Sequence, residues 1–244
     1  MGNFRASSQG ITGFESVFQH FADDINLRRL KSTILDVIRQ SINQIEDGHP
    51  RISDTRNTIG DDRYQRLRDR ICPNLYYGSF NLTKTRTLGH EIIWKWTEAT
   101  GKFVGCQFWS MEAKNFFNRE LTKRRGDRPT FSDAWNLAKE LSSTKYGRRA
   151  LNHEHVFPIM KLREILLNPS SFRRFTSSLS NLGEFFERAV VGCVLLKGEH
   201  EEIHSSFEDP ENPWMRYLDS SIKLVPSPKW TDAQRKLIAD VNLV

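Results

Sequence analysis

Two short segments carry the residue types that could do chemistry. Leu151-Asn-His-Glu-His-Val-Phe-Pro158 and Gly198-Glu-His-Glu-Glu-Ile-His204 hold four of the seven histidines, each set beside carboxylates. Imidazole together with carboxylate is the usual side-chain material for holding a divalent cation and for moving protons near neutral pH. The chemistry on offer is therefore metal-assisted or general-base hydrolysis, provided the intervening chain brings the two segments together.

That chain has the pattern needed to do so. Arg148 to Phe157 reads as extended and is ended by Pro158, and Ile159 to Leu167 returns to helical spacing. Ser180-Asn-Leu-Gly-Glu184 starts a second helix that runs to about Arg188. Ala189 to Leu196 is apolar and β-branched, as a buried strand is, and a short helix from Glu199 to about Phe207 follows it and cannot pass Pro210. Along the first strand His153 and His155 share a face, and Glu154 points to the other unless the strand is twisted or kinked.

The order strand, helical insert, strand, short helix resembles the ββα-metal finger of HNH-type endonucleases. In that family an acidic residue directly precedes the general-base histidine, and a hydrophobic residue and a proline follow. Those positions here are Glu154-His155-Val156-Phe157-Pro158, and the histidine opening the finger's helix is His200, with His204 one turn later. The resemblance implies that Glu154 and His200, with His204 nearby, hold Mg²⁺ or Mn²⁺ (Zn²⁺ as the variant), that His155 is the base, and that His153 is a secondary candidate. It covers residues 148 to 207 and departs from the family in lacking an Asn between Leu182 and His200, the nearest being Asn181 and Asn168. By analogy it suggests a restriction or phage-related setting.

Other readings of the same residues stand beside it. His200-Glu-Glu-Ile-His204 matches H-E-x-x-H, in which His200 and His204 would bind zinc and Glu201 would be the base of a metalloprotease, with Glu208 or Asp219 as a third ligand. A helix this acidic also reads as a solvated face, with His155 hydrogen-bonded in a turn and no chemistry at all. His90-Glu91 lacks a second histidine and is read as structural. Neither GxxxxGK[ST] nor GxGxxG occurs.

Elsewhere, Ile25, Leu30, Ile34, Val37, Ile38, Ile42 and Ile45 follow three/four spacing after a cap at Asp23 or Asp24, which predicts a helix to about Glu46. Residues 49 to 62 read as an exposed loop, and Arg63 onward as a helix broken at Cys72-Pro73. Residues 87 to 100 fit strand or helix. Ser110 caps a helix from Met111 to about Leu121, and another starts at Ser132. Trp109 and Trp214 are read as core anchors. The motifs around them, Gly105 to Ser110 and Asn212 to Tyr217, look like signatures without an assignable role. The tail suggests an Ile222 to Val225 strand and a helix capped by Thr231-Asp232. The expected class is α+β, mostly helical with a small β component. A helical and aromatic part spans 1–145 and a ββα-metal-like part 146–244, or the two form one continuous domain.

Charge and cysteine usage bound the partners. Net charge is +6, with basic residues at Lys123, Arg124, Arg125, Arg148, Arg149, Arg173 and Arg174, which predicts a phosphate-facing surface and DNA as the partner. A non-catalytic nucleic-acid-binding or adaptor protein would use the same surface. Three scattered cysteines, Cys72, Cys106 and Cys193, offer no disulfide framework and suit a reducing cytoplasm. No signal peptide or membrane span is apparent, and Gly2 with Ser7 only partly matches a myristoylation signal. Endonucleases that cut both strands are often dimers, so a homodimer is carried as an expectation.

Overall fold

The computed structural model describes residues 25–43, 49–74, 80–98, 103, 106–126, 129–143, 150–168, 178–203, 213–217 and 220–226. The first helix, α1 (Ile25–Asn43), buries Leu30, Ile34, Val37 and Ile38 completely, the stripe its spacing predicts. It packs on α3 (Asp61–Ile71), α4 (Leu88–Glu98) and α8 (Leu179–Ala189). Ser178 caps α8 by accepting from the Asn181 N–H, so that helix starts just ahead of the expected Ser180.

Residues 49 to 62 are not the exposed loop expected from their composition. They hold a short helix, α2 (Arg56–Ile59), and the start of α3, and both Ile52 and Ile59 are buried. The Leu88 and Gly89 N–H groups donate to the Asp54 and Ile52 carbonyls, pinning this stretch to the N-terminus of α4. Two isoleucines a heptad apart among polar residues leave no periodic signal, which is why the composition misleads.

The ambiguous stretch is helical over Leu88–Glu98. Within α4, Leu88, Ile92, Ile93 and Trp96 face the core, and Glu91 is buried among Arg86, Lys95 and the Asn81 N–H. After β1 (Phe108–Ser110), Ser110 caps α5 (Met111–Arg125) by accepting from the Ala113 N–H. Thr130 caps α6 (Phe131–Leu141) through a capping box with Asp133.

In the C-terminal half, β2 (Leu151–His155) is followed by α7 (Ile159–Leu167) and α8, then β3 (Gly192–Leu196) and α9 (Lys197–Glu202). A 3₁₀ turn (Pro213–Tyr217) and β4 (Leu224–Pro226) complete the described chain. The sheet order is β2-β3-β1-β4, with β3 antiparallel to β2 and parallel to β1, and β4 antiparallel to β1. The protein is therefore mostly helical with a small four-stranded sheet, the α+β class its sequence predicts. Because β1 lies between β3 and β4, one sheet draws strands from both sides of the 145/146 line.

The two faces of the sheet have different coverings. Trp109, Leu151 and Val194 pack against α5 and α6 through Ala113, Phe117, Leu121 and Leu137. On the other face Phe108, Cys193 and Leu195 pack against Trp214, Tyr217, Ile222 and Leu224. Trp109 and Trp214 are the core anchors the sequence suggests, each almost fully buried. The helix expected after the Thr231-Asp232 cap lies outside the described residues.

Candidate functional site

Antiparallel pairing decides what β2 meets. Its register sets Glu154 opposite Cys193 and His155 opposite Gly192, so β3 runs back along β2 and delivers the chain directly into α9. That helix folds over the face of β2 bearing Glu154, where His200 Nδ1 stands 2.9 Å from Glu154 Oε2. On the other carboxylate oxygen, Arg216 Nη1 donates to Glu154 Oε1 at 2.8 Å. The same nitrogen reaches the His155 and Val156 carbonyls at 3.3 and 3.1 Å, so one guanidinium holds the end of the strand and its acid together. Glu154 and Arg216 side chains are 10% and 9% exposed; His200 is 42% exposed overall, but its Nδ1, the atom that meets Glu154, is buried.

A second contact fixes the helix that carries His200. Ser110 Oγ donates to Glu199 Oε2 at 2.6 Å, and the Leu196 N–H donates to the same oxygen at 2.8 Å. Burial pushes the Glu199 carboxyl above its ordinary range, while the Ser110 bond pulls it the other way. The Ser110–Glu199 bond thus ties the start of α5 to the start of α9, and His200 ties α9 to β2.

The opposite face of β2 is closed. His153 and His155 stack with ring centroids 4.8 Å apart, and the edge of Trp94 meets each ring at 4.6 and 4.5 Å. Cys106 Sγ lies 3.6 Å from His153 Nδ1 and 3.7 Å from its Nε2. Trp94 Nε1 donates to His90 Nε2 at 2.8 Å, which requires that nitrogen to be unprotonated. His155 is 6% exposed, and its buried Nε2 has no hydrogen-bond partner among the described residues. Burial, and next the nearby His153 and His90, hold its pKa well below the ordinary histidine value, so the ring is neutral.

The structure therefore brings together Glu154 and His200 and sends the His155 ring, with His153, to the other side of β2. His204, and with it Glu208 and Asp219, lie outside the described residues. Of the basic candidates, Lys123 pairs with Glu120 at 2.9 Å and Arg124 with Glu140, both near the end of α5. That end is about 20 Å along the helix from Ser110 at 1.5 Å per residue. The Arg125 side chain and Arg148, Arg149, Arg173 and Arg174 lie outside the described residues.

Among the described residues no group of three or more His, Cys, Asp or Glu side chains is arranged to hold a metal. Glu154 and His200 form a pair whose spacing can be set beside that of metal ligands. Adjacent ligands of an octahedral ion at 2.0–2.1 Å stand about 3 Å apart, while tetrahedral zinc donors stand about 3.3 Å apart. The observed 2.9 Å between Glu154 Oε2 and His200 Nδ1 equals that octahedral spacing and is equally the length of an ordinary ion pair or hydrogen bond, so the distance alone does not distinguish the two. Mg²⁺ characteristically takes few protein ligands and keeps its remaining positions for water and phosphate oxygens.

Sequence reading did not find Arg216. Its one signal was a charged residue between Trp214 and Tyr217, where flanking burial forces the guanidinium inward as well. No family model, curated protein or solved structure matches the chain. No helix among the described residues is long and apolar enough to cross a membrane.

Proposed function

We propose that the protein is a divalent-metal-dependent DNA endonuclease of HNH-like type, with Glu154 and His200 holding Mg²⁺ or Mn²⁺. The observation that carries this reading is the 2.9 Å approach of Glu154 and His200, residues far apart in sequence, across an antiparallel strand pair that runs straight into a helix. When bound, the ion would polarise the scissile phosphate and stabilise the leaving oxygen. Glu154 supplies a hard anionic ligand whose second oxygen is fixed by Arg216, the outer support that metal-ligating carboxylates generally have. His200 supplies an imidazole whose Nδ1 faces the carboxylate while the rest of the ring is partly exposed. Burial keeps His155 neutral, as a base must be, but its ring lies across β2 from the ion ligands. Action on the phosphate would require the strand end that Arg216 clamps to turn over. Free cysteines at 72, 106 and 193 suit a cytoplasmic setting.

The second reading, a nucleic-acid-binding protein without catalysis, is favoured by that same enclosure of His155 between Trp94 and His153. One experiment separates them: incubation of plasmid and genomic DNA with Mg²⁺, Mn²⁺ or EDTA, beside Glu154→Gln and His155→Ala. Metal-dependent cutting that is lost in folded Glu154→Gln supports the nuclease. DNA retained in a mobility shift with salt-dependent affinity, without cutting under any condition, replaces it with the binding protein.

A further inference from the structure

The N-terminal helices carry a polar cavity that neither functional reading uses. From its lining we infer that the trough along α2, the start of α3 and residues 80–84 holds an unpaired nucleotide of a single nucleic-acid strand, whose neighbouring phosphates run over α3. The inference shares only the nucleic-acid partner with the proposed function and uses no residue of the Glu154–His200 pair. The cavity has a volume of about 630 Å³ and is lined by Arg56, Asn57, Gly60 and Asp61 and, from the facing chain, by Asn81 to Lys84. That is room for a nucleotide-sized guest. A second depression of about 320 Å³, lined in part by Arg63 and Arg66, shares Gly60 and Asp61 with it, so the two adjoin. Gly60, at φ 79°, turns the chain between α2 and α3 in a conformation that suits glycine and leaves their common rim bare.

The walls are fixed while several of their polar ends are not. Tyr64 Oη donates to the Phe80 carbonyl at 3.0 Å, the Asn81 N–H donates to buried Glu91 at 3.2 Å, and the Arg56 and Arg86 N–H groups donate to Thr83. Within this frame Arg56 is preorganised. Its guanidinium lies 4.6 Å over the Tyr64 ring and is bonded through Nε and Nη2 to Asp61 Oδ1 at 3.3 and 3.2 Å, yet its side chain is 44% exposed. A planar cation seated on one ring offers its other face to a second, and an unpaired base is the flat partner that stacks on arginine in nucleic-acid complexes. The side-chain amides of Asn57 and Asn81 form no hydrogen bond among the described residues and match the paired donors and acceptors of a base edge. The charge suits phosphates on both sides of that base. Lys84 lines the cavity, Arg63 and Arg66 line the next depression, and all three are exposed without an ion-pair partner among the described residues. Asp61 is taken up by Arg56, which leaves Asp62 as the lining acid that opposes them. A duplex keeps its bases paired and stacked, whereas a single strand can turn one into the cavity.

The test is fluorescence anisotropy of a labelled single-stranded oligothymidylate in EDTA, where no metal-dependent step takes part, beside the same strand paired with oligoadenylate. The native chain should bind the single strand about tenfold more tightly than the duplex. Asn57→Ala combined with Lys84→Ala should weaken single-strand binding about tenfold, and Lys84→Ala alone should lower the salt slope by about 0.7. Arg56→Lys, which keeps the charge and gives up the planar face, should also weaken it. Asn57 and Lys84 are exposed and their side chains bond to no described residue, so the double variant should keep the native thermal midpoint. Photocrosslinking of the native chain to a strand bearing 5-iodouracil, which depends on no variant, should mark peptides within residues 56–66 or 80–86. Native-like binding by the double variant, crosslinks confined to other segments, or no single-strand binding at all overturns the inference, and equal affinity for duplex and single strand overturns the unpaired-base pocket. None of these outcomes requires cutting, so the inference and the nuclease reading fail separately.

Discussion

Arg216 Nη1 and Glu154 Oε1 form a 2.8 Å ion pair in which both side chains are about nine-tenths buried, joining the 3₁₀ turn at Pro213–Tyr217 to the end of the edge strand β2. Such a pair need not stabilise the fold relative to apolar residues, but removing one partner leaves the other charged in a poorly solvated place. Glu154→Gln and Arg216→Met should each lower unfolding free energy by about 3 kcal/mol, and the double substitution should cost less than the sum. Urea unfolding of the two single variants and the double variant measures the coupling, and additive losses would refute it.

Acid should weaken the fold through His90. Its Nε2 accepts from the Trp94 indole, and burial, with Arg86 next, lowers its pKa from the ordinary value. The folded state thus binds a proton less readily than the unfolded chain. Its contribution is fully present above pH ~6.5 and declines as pH falls from there toward the folded pKa. Thermal midpoints measured from pH 7.5 to 5.0 should fall, and His90→Gln, which keeps a hydrogen-bond acceptor for Trp94, should flatten part of that slope. An unchanged slope in the variant would assign the acid sensitivity elsewhere.

What could be read beforehand follows from the length scale of each signal. The α1 stripe, the Ser110 cap and the strand leading into α9 are local patterns of spacing and composition, and the structure has all three. The period of two along β2 placed Glu154 and His155 on opposite faces, and regular pairing through His155 keeps them there. Arg216 was not legible because its meaning lies in Glu154, on a strand reached only through tertiary folding. The three-residue β1 was hidden for the same reason: too short to show a period, it is a strand because β3 and β4 flank it.

Ser110 has two duties, and its loss should show both. As N-cap it accepts from the Ala113 N–H, and as donor it holds Glu199 at the start of α9. Ser110→Ala should cost about 2 kcal/mol, roughly 1 from the cap and a similar amount from the bond to a partly buried carboxyl. Ser110→Thr should recover most of it. Hydrogen exchange should show faster opening at the N-terminus of α5 and in α9 together; exchange confined to α5 would separate the cap from the link to Glu199.

Gly192 is the position where β3 can least tolerate a side chain. A methyl there would lie 3.0 Å from His153 Nε2, 3.1 Å from Cys106 Sγ and 3.2 Å from Thr97 Cβ, so it meets three elements at once. None of them yields easily: His153 is stacked between His155 and Trp94, Cys106 is fully buried, and Thr97 is held in α4. Overpacking of this kind costs about 1–3 kcal/mol. The displacement would be felt at His155, which pairs with Gly192 across the strands, and beyond it at the carbonyl that Arg216 holds. Gly192→Ala should therefore lower the urea midpoint, and the additional substitution Cys106→Ala, which opens the space beside the new methyl, should restore part of the loss. Stability unchanged in Gly192→Ala would mean that the His153 and His155 stack can move, and with it the enclosure that holds His155 away from the Glu154 face.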